Sequence, residues 1–120
     1  MTAVPHATRS RFELLYERFN ARDVDALLDH LAPDVDWPNG WEGGYLHGRE
    51  AVRDYWRRQW DEIDGKVTPQ GFAVEPDGRI DVTVRQVVKD NHGKLLSDSI
   101  VHHVYRLRDD DQVEHMEIRQ

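Results

Sequence analysis

The sequence predicts an α+β fold, a cone-shaped roll in which three N-terminal helices pack on a strongly curved, mainly antiparallel sheet. Three runs in the last third of the chain, at 79–88, 94–107 and 113–118, alternate apolar and polar residues and are rich in β-branched types. Such alternation is typical of half-buried strands. Three stretches of the first 63 residues instead repeat their apolar positions every three or four residues, as amphipathic helices do.

Composition indicates one domain and excludes several function classes. We expect a single domain over residues 1–120, with residues 1–7 as a disordered tail. The chain has no cysteine, so disulfides and thiolate chemistry are excluded. A net charge of −7 argues against nucleic acid, which needs a basic surface. We find no apolar run of membrane-helix length and no signal sequence, so we expect no membrane partner and a cytoplasmic location.

The first two helices are marked by caps and by apolar spacing. Thr8 or Ser10 is expected to cap the first helix, which runs to about Ala21. Its apolar positions are Phe12, Leu15, Tyr16 and Phe19. Asp23 is expected to cap a second, short helix with Val24, Leu27, Leu28 and Leu31 on one face. Pro33 ends this helix, because proline disfavours helical backbone in the residue before it.

The third helix is expected from about Arg49 to Ile63, after short strands at 34–37 and 45–47. An irregular segment rich in glycine separates those two strands. The apolar stripe of the helix is Val52, Trp56, Trp60 and Ile63, with Tyr55 and Gln59 flanking it. Gly65 is predicted to close the helix in the left-handed conformation.

The following strand, at about 67–75, contains Pro69 and Gly71, which indicate an edge strand or a bulge. A three-residue turn at 76–78 joins it to the next strand. This turn sets two pairs on the inner face: Phe72 opposite Val82, and Val74 opposite Ile80.

The next hairpin is predicted to turn through a four-residue loop at 90–93, which fixes the strand register. The inner face then pairs Val84 with Ser99, Val82 with Val101, and Ile80 with His103. The outer face gains two charge-complementary pairs, Arg85 with Asp98 and Asp81 with His102. Agreement between these pairs and the apolar pattern supports the register.

A two-residue turn at Asp110-Asp111 is predicted for the last hairpin, which sets Tyr105 opposite Met116 and His103 opposite Ile118. The inner face of the last two strands becomes Val101, His103, Tyr105, Leu107, Met116 and Ile118. The outer face becomes His102, Val104, Arg106, Val113, His115 and Glu117.

His103 is the one strongly polar side chain predicted amid apolar surface at this end of the sheet. Two interpretations stay open. It is either a core histidine hydrogen-bonded to a neighbour such as Tyr105 or a backbone group, or a pocket histidine that donates or accepts a proton.

A resemblance to a known family rests on five stretches. They are YERFNARD (16–23), LDHLAPDVDW (28–37), HGREAV (47–52), VHHVYRLRD (101–109) and MEI (116–118). With these, residues from about 8 to 118 resemble the nuclear transport factor 2-like superfamily, in its SnoaL-like (polyketide-cyclase-like) and ketosteroid-isomerase-like branch. The resemblance implies the curved α+β fold, frequent homodimers that pair through their sheets, and, in catalytic members, acid–base residues in the mouth of the cone.

The catalytic candidates follow from this resemblance. Dehydratases of the fold use a tyrosine, a histidine and an aspartate, so His103, Tyr16 (or Tyr105) and Asp36 are the candidates here. Steroid isomerases of the fold place an aspartate base after the second helix. Here Trp37 stands at that point, just before a proline, and the chain departs from the isomerase pattern.

The ligand-binding candidates come from the predicted inner face and from the segment at its rim. They are Trp37, Trp41, Trp56, Trp60, Gln86, Ser99, Tyr105 and Met116. Aromatic side chains with a few polar groups are the usual lining of a small-molecule site. The alternative is ordinary core packing for Trp56 and Trp60, and an incidental surface position for Trp41.

Two functions remain on the sequence alone. The first is a cofactor-free isomerase, cyclase or dehydratase that moves a proton on a small hydrophobic molecule. The second is a non-catalytic ligand-binding or assembly domain. We expect no metal, because His102 and His103 are adjacent on a strand and face opposite sides. We expect a homodimer through an outer sheet face that carries Ile100, Val104 and Val113.

Overall fold

Two helices, two strands and a third helix make up the first half of the chain, and the second half contains strands alone. The computed structural model describes residues 3–120. The helices are α1 (His6–Asn20), α2 (Val24–Leu28) and α3 (Arg49–Glu62). The strands are β1 (Leu31–Pro38), β2 (Tyr45–His47), β3 (Ile63–Val74), β4 (Ile80–Asp90), β5 (Leu95–Leu107) and β6 (Val113–Arg119).

The six strands form one sheet in the order β2-β1-β6-β5-β4-β3. All neighbours are antiparallel except β1 and β6, which are parallel. The helices pack on one side of this curved sheet, and the core lies between them and the sheet's inner face. This arrangement confirms the predicted α+β roll.

Helix α1 begins earlier than predicted. The cap is Pro5, with φ −55°, and the first helical residue is His6, so neither Thr8 nor Ser10 caps the helix. Proline holds φ near the helical value, which suits the start of a helix. Residues 6 and 7 are therefore helical rather than part of a tail, while residues 1 and 2 of the expected tail lie outside the described residues.

Helix α2 has the predicted cap: the Asp23 side chain accepts a hydrogen bond from the backbone N–H of Ala26. The helix is only five residues long and ends before Pro33 is reached. Leu31 therefore belongs to β1, where it is fully buried.

Helix α3 has the predicted bounds within one residue, but Gly65 does not cap it. Ile63 already adopts extended backbone, and residues 63–65 pair with residues 88–90 of β4. Tyr55, expected at the edge of the apolar stripe, is buried with Val52 and Trp56. The buried face of the helix is thus wider than predicted.

The β3–β4 hairpin has the predicted register. Phe72 lies opposite Val82, and Val74 lies opposite Ile80. Strand β3 is at the edge of the sheet, and its pairing is irregular between Pro69 and Gly71, as these two residues indicate.

The β4–β5 register differs from the prediction by two residues. Val82 lies opposite His103, not Val101, and Ile80 lies opposite Tyr105. The connecting loop is three residues long instead of four, and an irregularity after Val88 leaves one extra residue on β5. A shift of two residues keeps every side chain on its predicted face. The predicted pairs still form, diagonally: Arg85 with Asp98 (2.6 Å) and Asp81 with His102 (2.9 Å).

The β5–β6 register is as predicted at its functional end, with Tyr105 opposite Met116 and His103 opposite Ile118. Near the turn, however, an irregularity follows Arg106 and changes the side on which Val113 lies. Val113 is buried in the core, so its predicted outer position is wrong.

The outer sheet face is therefore less apolar than expected. Val104 is also fully buried, and of the three residues proposed for a dimer surface only Ile100 is exposed, at 50%.

Within residues 3–120, no helix is both long enough and apolar enough to cross a bilayer.

Candidate functional site

A cavity of about 290 Å³ lies between the helices and the inner face of the sheet. All three helices, the end of β1 with the segment that follows it, and strands β3 to β6 contribute to its wall. Its polar side chains are Tyr16, Tyr55, Gln59, Gln86, His103 and Tyr105. Its apolar wall includes Leu15, Phe19, Leu27, Trp37, Trp41, Trp56, Trp60, Val67, Val88, Met116 and Ile118.

Three buried polar side chains are hydrogen-bonded in a row. The Tyr16 hydroxyl lies 2.9 Å from His103 Nδ1 and 2.8 Å from the Tyr105 hydroxyl. Tyr16 reaches them from α1, because its helical position beside Leu15 and Phe12 turns it toward the sheet. His103 and Tyr105 are two residues apart on β5 and so share its inner face. We call these three residues the hydroxyl–imidazole chain.

Burial sets the protonation of this chain. It lowers the pKa of His103 to about 4, helped by the charge of the neighbouring His102. It also raises the pKa of both tyrosines, and in Tyr16 the nearby Tyr105 adds to the rise. A buried site disfavours charged forms, so at neutral pH all three groups are uncharged.

The hydroxyl–imidazole chain can point its protons in either direction. In one arrangement, Tyr105 donates to Tyr16, and Tyr16 donates to His103 Nδ1, which leaves the proton of the imidazole on Nε2. In the other, His103 Nδ1–H donates to Tyr16, and Tyr16 donates to Tyr105. His103 Nε2 then carries a free lone pair, which is what a base requires. The only side-chain hydrogen bond of His103 within residues 3–120 is the one from Nδ1 to Tyr16, so Nε2 has no partner there.

The cavity is electrically neutral. Among the described residues that line it there is no aspartate, glutamate, lysine or arginine. The chemistry of the wall is therefore limited to hydroxyl, imidazole, amide and indole groups. A carboxylate base of the steroid-isomerase kind has no counterpart here.

The predicted tryptophans form one side of the wall. Trp37 packs edge-to-face on Trp56, with ring centroids 5.2 Å apart, and lies 6.4 Å from the Tyr105 ring. Trp60 stacks on Trp56 at 6.2 Å and meets Phe19 at 5.4 Å. These rings pack in the core and line the cavity at the same time. Core packing and a place in the cavity wall are therefore not exclusive alternatives for Trp37, Trp56 and Trp60.

A second polar group lies near the mouth of the cavity. The Tyr55 hydroxyl accepts hydrogen bonds from the backbone N–H of Gly40 (3.1 Å) and from the side-chain amide of Gln59 (3.3 Å). Trp41, 41% exposed, packs edge-to-face on the Tyr55 ring. Sequence reasoning placed Tyr55 and Gln59 only beside the stripe. Their i, i+4 spacing on α3 and the position of Tyr55 three residues after Val52 were the available signals.

Two predicted site residues lie elsewhere. Asp36 is on β1 next to Trp37 and therefore points to the opposite face, where its carboxylate lies 2.5 Å from His47 Nδ1. It does not join His103 and Tyr16. Ser99 is opposite Gln86 but exposed, because β5 extends beyond the cavity at that point. Gln86, Met116 and the four tryptophans do line the cavity.

Possible metal ligands do not gather in the described part of the chain. Within residues 3–120, no group of three or more histidine, aspartate or glutamate side chains is placed to hold a metal ion.

Comparison with known proteins identifies the fold and the family. A family model described as a SnoaL-like domain matches residues 12–115. No curated protein matches the chain at a significant level. Among solved structures, a nuclear transport factor 2-like protein of unknown function from Burkholderia pseudomallei has 26% identity and a TM-score of 0.79, covering 97% of this chain and 91% of that chain.

Two further solved structures show the same fold at lower identity. One is the epoxide hydrolase/cyclase-like enzyme SalBIII, which has a role in pyran ring formation in the polyether salinomycin. It has 15% identity and a TM-score of 0.80, covering 94% of this chain and 89% of that one. A Mycobacterium tuberculosis protein in complex with estradiol-17β-hemisuccinate has 17% identity and a TM-score of 0.74, covering 87% and 85%.

Proposed function

The chain belongs to the SnoaL-like family of the nuclear transport factor 2-like superfamily, and on that premise we propose that it binds a small, neutral, mostly apolar molecule and moves a proton on it through His103. The observation that carries this proposal is the hydroxyl–imidazole chain at the wall of an aromatic cavity. The reaction class is that of a cofactor-free isomerase, cyclase or dehydratase.

The cavity supports the binding half of the proposal. An apolar wall with a few convergent polar groups is the usual makeup of a small-molecule site. A volume of about 290 Å³ can hold all or part of a molecule with two or three fused rings. The solved relative that holds an estradiol derivative gives an example of such a molecule in this fold.

The state of His103 supports the catalytic half. With its pKa lowered to about 4, the imidazole is neutral at pH 7 and has a lone pair to offer. Its orientation is fixed by the hydrogen bond from Nδ1 to Tyr16. A fixed, neutral imidazole beside an apolar ligand is suited to removing a proton from carbon or oxygen.

The hydroxyl–imidazole chain also offers a route by which the proton returns. As Nε2 takes a proton from the ligand, Nδ1–H passes its proton to Tyr16, and Tyr16 passes its own to Tyr105. Tyr105 then gives its proton to an oxygen of the ligand. Each group loses one proton and gains one, so none becomes charged, and both internal hydrogen bonds persist with reversed direction. This suits a site where burial disfavours the imidazolium and the phenolates.

Deuterium exchange into 2-tetralone tests the proposal, because this bicyclic ketone is apolar and has exchangeable protons beside its carbonyl. We expect the wild-type protein to accelerate exchange in D₂O, measured by proton NMR. His103→Gln should lower that acceleration by about 10²-fold or more, the usual contribution of a general base. The matched control is His102→Gln, since His102 is the adjacent histidine on the opposite face of β5. It should retain the wild-type rate at pH 7, because burial is the main cause of the lowered pKa of His103.

Equal rates in wild type and His103→Gln would contradict proton transfer by His103. Saturable binding of 2-tetralone without any acceleration would instead support the non-catalytic ligand-binding domain. The rate should be constant between pH 5 and pH 8 and fall near pH 4, because protonated His103 has no lone pair.

A cytoplasmic location is part of the same proposal. We also propose that the protein self-associates through the outer face of the sheet. The support for a homodimer is the family resemblance and exposed Ile100, since Val104 and Val113 are buried. Sedimentation at micromolar concentration tests it, and a monomer there would contradict it.

A further inference from the structure

Tyr55 has a hydroxyl whose acceptor sites are already filled. A phenol oxygen has two lone pairs and one proton. The N–H of Gly40 and the amide of Gln59 donate to the two lone pairs of Tyr55. The proton of Tyr55 has no acceptor among residues 3–120, although the residue is only 4% exposed and lines the cavity. A buried hydroxyl proton without an acceptor is costly unless a bound molecule or water receives it.

The Tyr55 hydroxyl is also held in place. Its two donors come from different parts of the chain, the segment after β1 and the next turn of α3. Burial raises the pKa of the phenol, so the group keeps its proton throughout the ordinary pH range. A fixed donor that stays protonated can select a ligand by where it carries an oxygen.

This donor is separate from the hydroxyl–imidazole chain. No hydrogen bond joins Tyr55 to Tyr16, His103 or Tyr105 in the described residues. The ring of Trp37 lies beside the Tyr105 ring, whereas the ring of Trp41 packs on the Tyr55 ring. The cavity wall therefore carries two separate hydrogen-bonded polar groups among its aromatic side chains.

We propose that Tyr55 is a specificity-determining residue that donates a hydrogen bond to a carbonyl or ether oxygen of the bound molecule. This inference rests on the proposed function, because it assumes that the cavity binds a ligand. It narrows the ligand class to neutral, mostly apolar molecules with an acceptor oxygen in addition to the group that His103 deprotonates.

Two probes of nearly equal shape test the inference. 2-Acetylnaphthalene carries a carbonyl acceptor, whereas 2-isopropenylnaphthalene has a CH₂ group in place of that oxygen. Binding is followed by quenching of the cavity tryptophans. Tyr55→Phe should weaken the ketone about tenfold and the hydrocarbon less than twofold, because only the ketone loses a hydrogen bond. The carbonyl stretch of the bound, ¹³C-labelled ketone should also move to higher frequency in this variant.

Tyr45→Phe is the matched control, since Tyr45 is exposed on β2 and outside the cavity wall. It should change neither affinity. Gly40→Ala is a second variant that keeps the hydroxyl: the added Cβ would lie 3.3 Å from the Tyr55 oxygen and displace it slightly. It should weaken the ketone selectively by twofold to threefold, and it serves if Tyr55→Phe does not fold.

Each outcome either supports or contradicts a hydrogen bond from Tyr55 to the bound molecule. Selective loss of the ketone supports the inference. Equal loss of both probes, or no loss, overturns the role of Tyr55 but leaves the proposed function to the exchange experiment on His103. If neither probe binds to the wild-type protein, the binding cavity itself is contradicted, and the inference falls with it.

Discussion

Tyr16 connects the two parts of the chain that form the site. Its hydroxyl bonds to residues 87 and 89 positions later in the sequence, His103 and Tyr105. Each of the three was identifiable from the sequence, because β-strand alternation and helical spacing put all of them on inner faces. Their linear arrangement was not, since it depends on how far α1 stands from β5. Asp36 was wrongly grouped with them, because alternation along β1 places it on the face opposite to Trp37, where it bonds to His47.

Tyr16→Phe should destabilise the fold by about 1–3 kcal/mol, because His103 Nδ1 and the Tyr105 hydroxyl would both lose their buried partner. We also expect exchange of 2-tetralone protons to fall, since the imidazole is no longer oriented. Urea denaturation measures the first effect and NMR the second. Tyr45→Phe is the control for loss of a hydroxyl, and a Tyr16→Phe variant as stable and as active as wild type would refute this account.

At the scale of elements, the sequence predicts which face of a strand is buried better than it predicts which residues lie opposite each other on neighbouring strands. Apolar alternation identified which side of β4 and β5 faces the core, and turn residues identified the hairpins. The register was wrong by two residues because a shorter loop and an extra residue on β5 both escaped the pattern. A register error of two residues leaves every side chain on its predicted face, whereas the irregularity near Val113 places that residue on the opposite face.

Deleting Leu96 tests this view of β5. The deletion removes the extra residue between Ser97, opposite Val88, and Leu95, opposite Lys89, so regular pairing can continue on both sides. We expect a folded protein with a loss of roughly 1 kcal/mol or less. Deleting Ile100 instead would move His103 to the wrong face and should prevent folding.

Thermal unfolding and ligand binding distinguish the two deletion variants. If both deletions were equally tolerated, the strand register would not be fixed by the core contacts described above. If both prevented folding, the extra residue would be a required part of the hairpin.

At the scale of the whole molecule, family resemblance and periodicity together predicted the architecture, including the curved sheet and the helices on one side. They predicted an aromatic cavity but not its volume, because that volume is the space left after about twenty side chains have packed. Tyr55 shows the limit: as one more aromatic residue on a helix, it has no local feature that distinguishes packing from ligand contact.

Stability should decrease as the pH falls from about 6.5 to about 4. His30 and His103 are buried, and both have their pKa lowered from 6.5 to about 4, mainly by burial and in His30 also by the charge of Arg18. The unfolded chain therefore binds protons in this range before the folded one does. Protonation of His103 should lower the free energy of unfolding by about 2–3 kcal/mol by pH 4, and protonation of His30 should lower it further. Carboxylates such as Asp98, whose pKa is lowered by its hydrogen bond with Arg85, contribute mainly at still lower pH.

Urea denaturation at pH 7, 5 and 4 measures this decrease. His30→Gln should show a smaller decrease than wild type, whereas His92→Gln, in an exposed loop, should show the full one. An unfolding free energy that stays constant over this range would contradict the assignment of both histidines as buried and neutral.

The neutral wall of the cavity also has a consequence for the ionisation of what enters it. With no charged side chain to offset the loss of hydration, an anion or cation would bind far less well than the corresponding uncharged molecule. A weakly acidic phenol should therefore bind as the protonated species, and its own pKa should rise on binding. Its affinity should fall in alkaline solution yet hardly respond to added salt, because no ion pair is there to be screened.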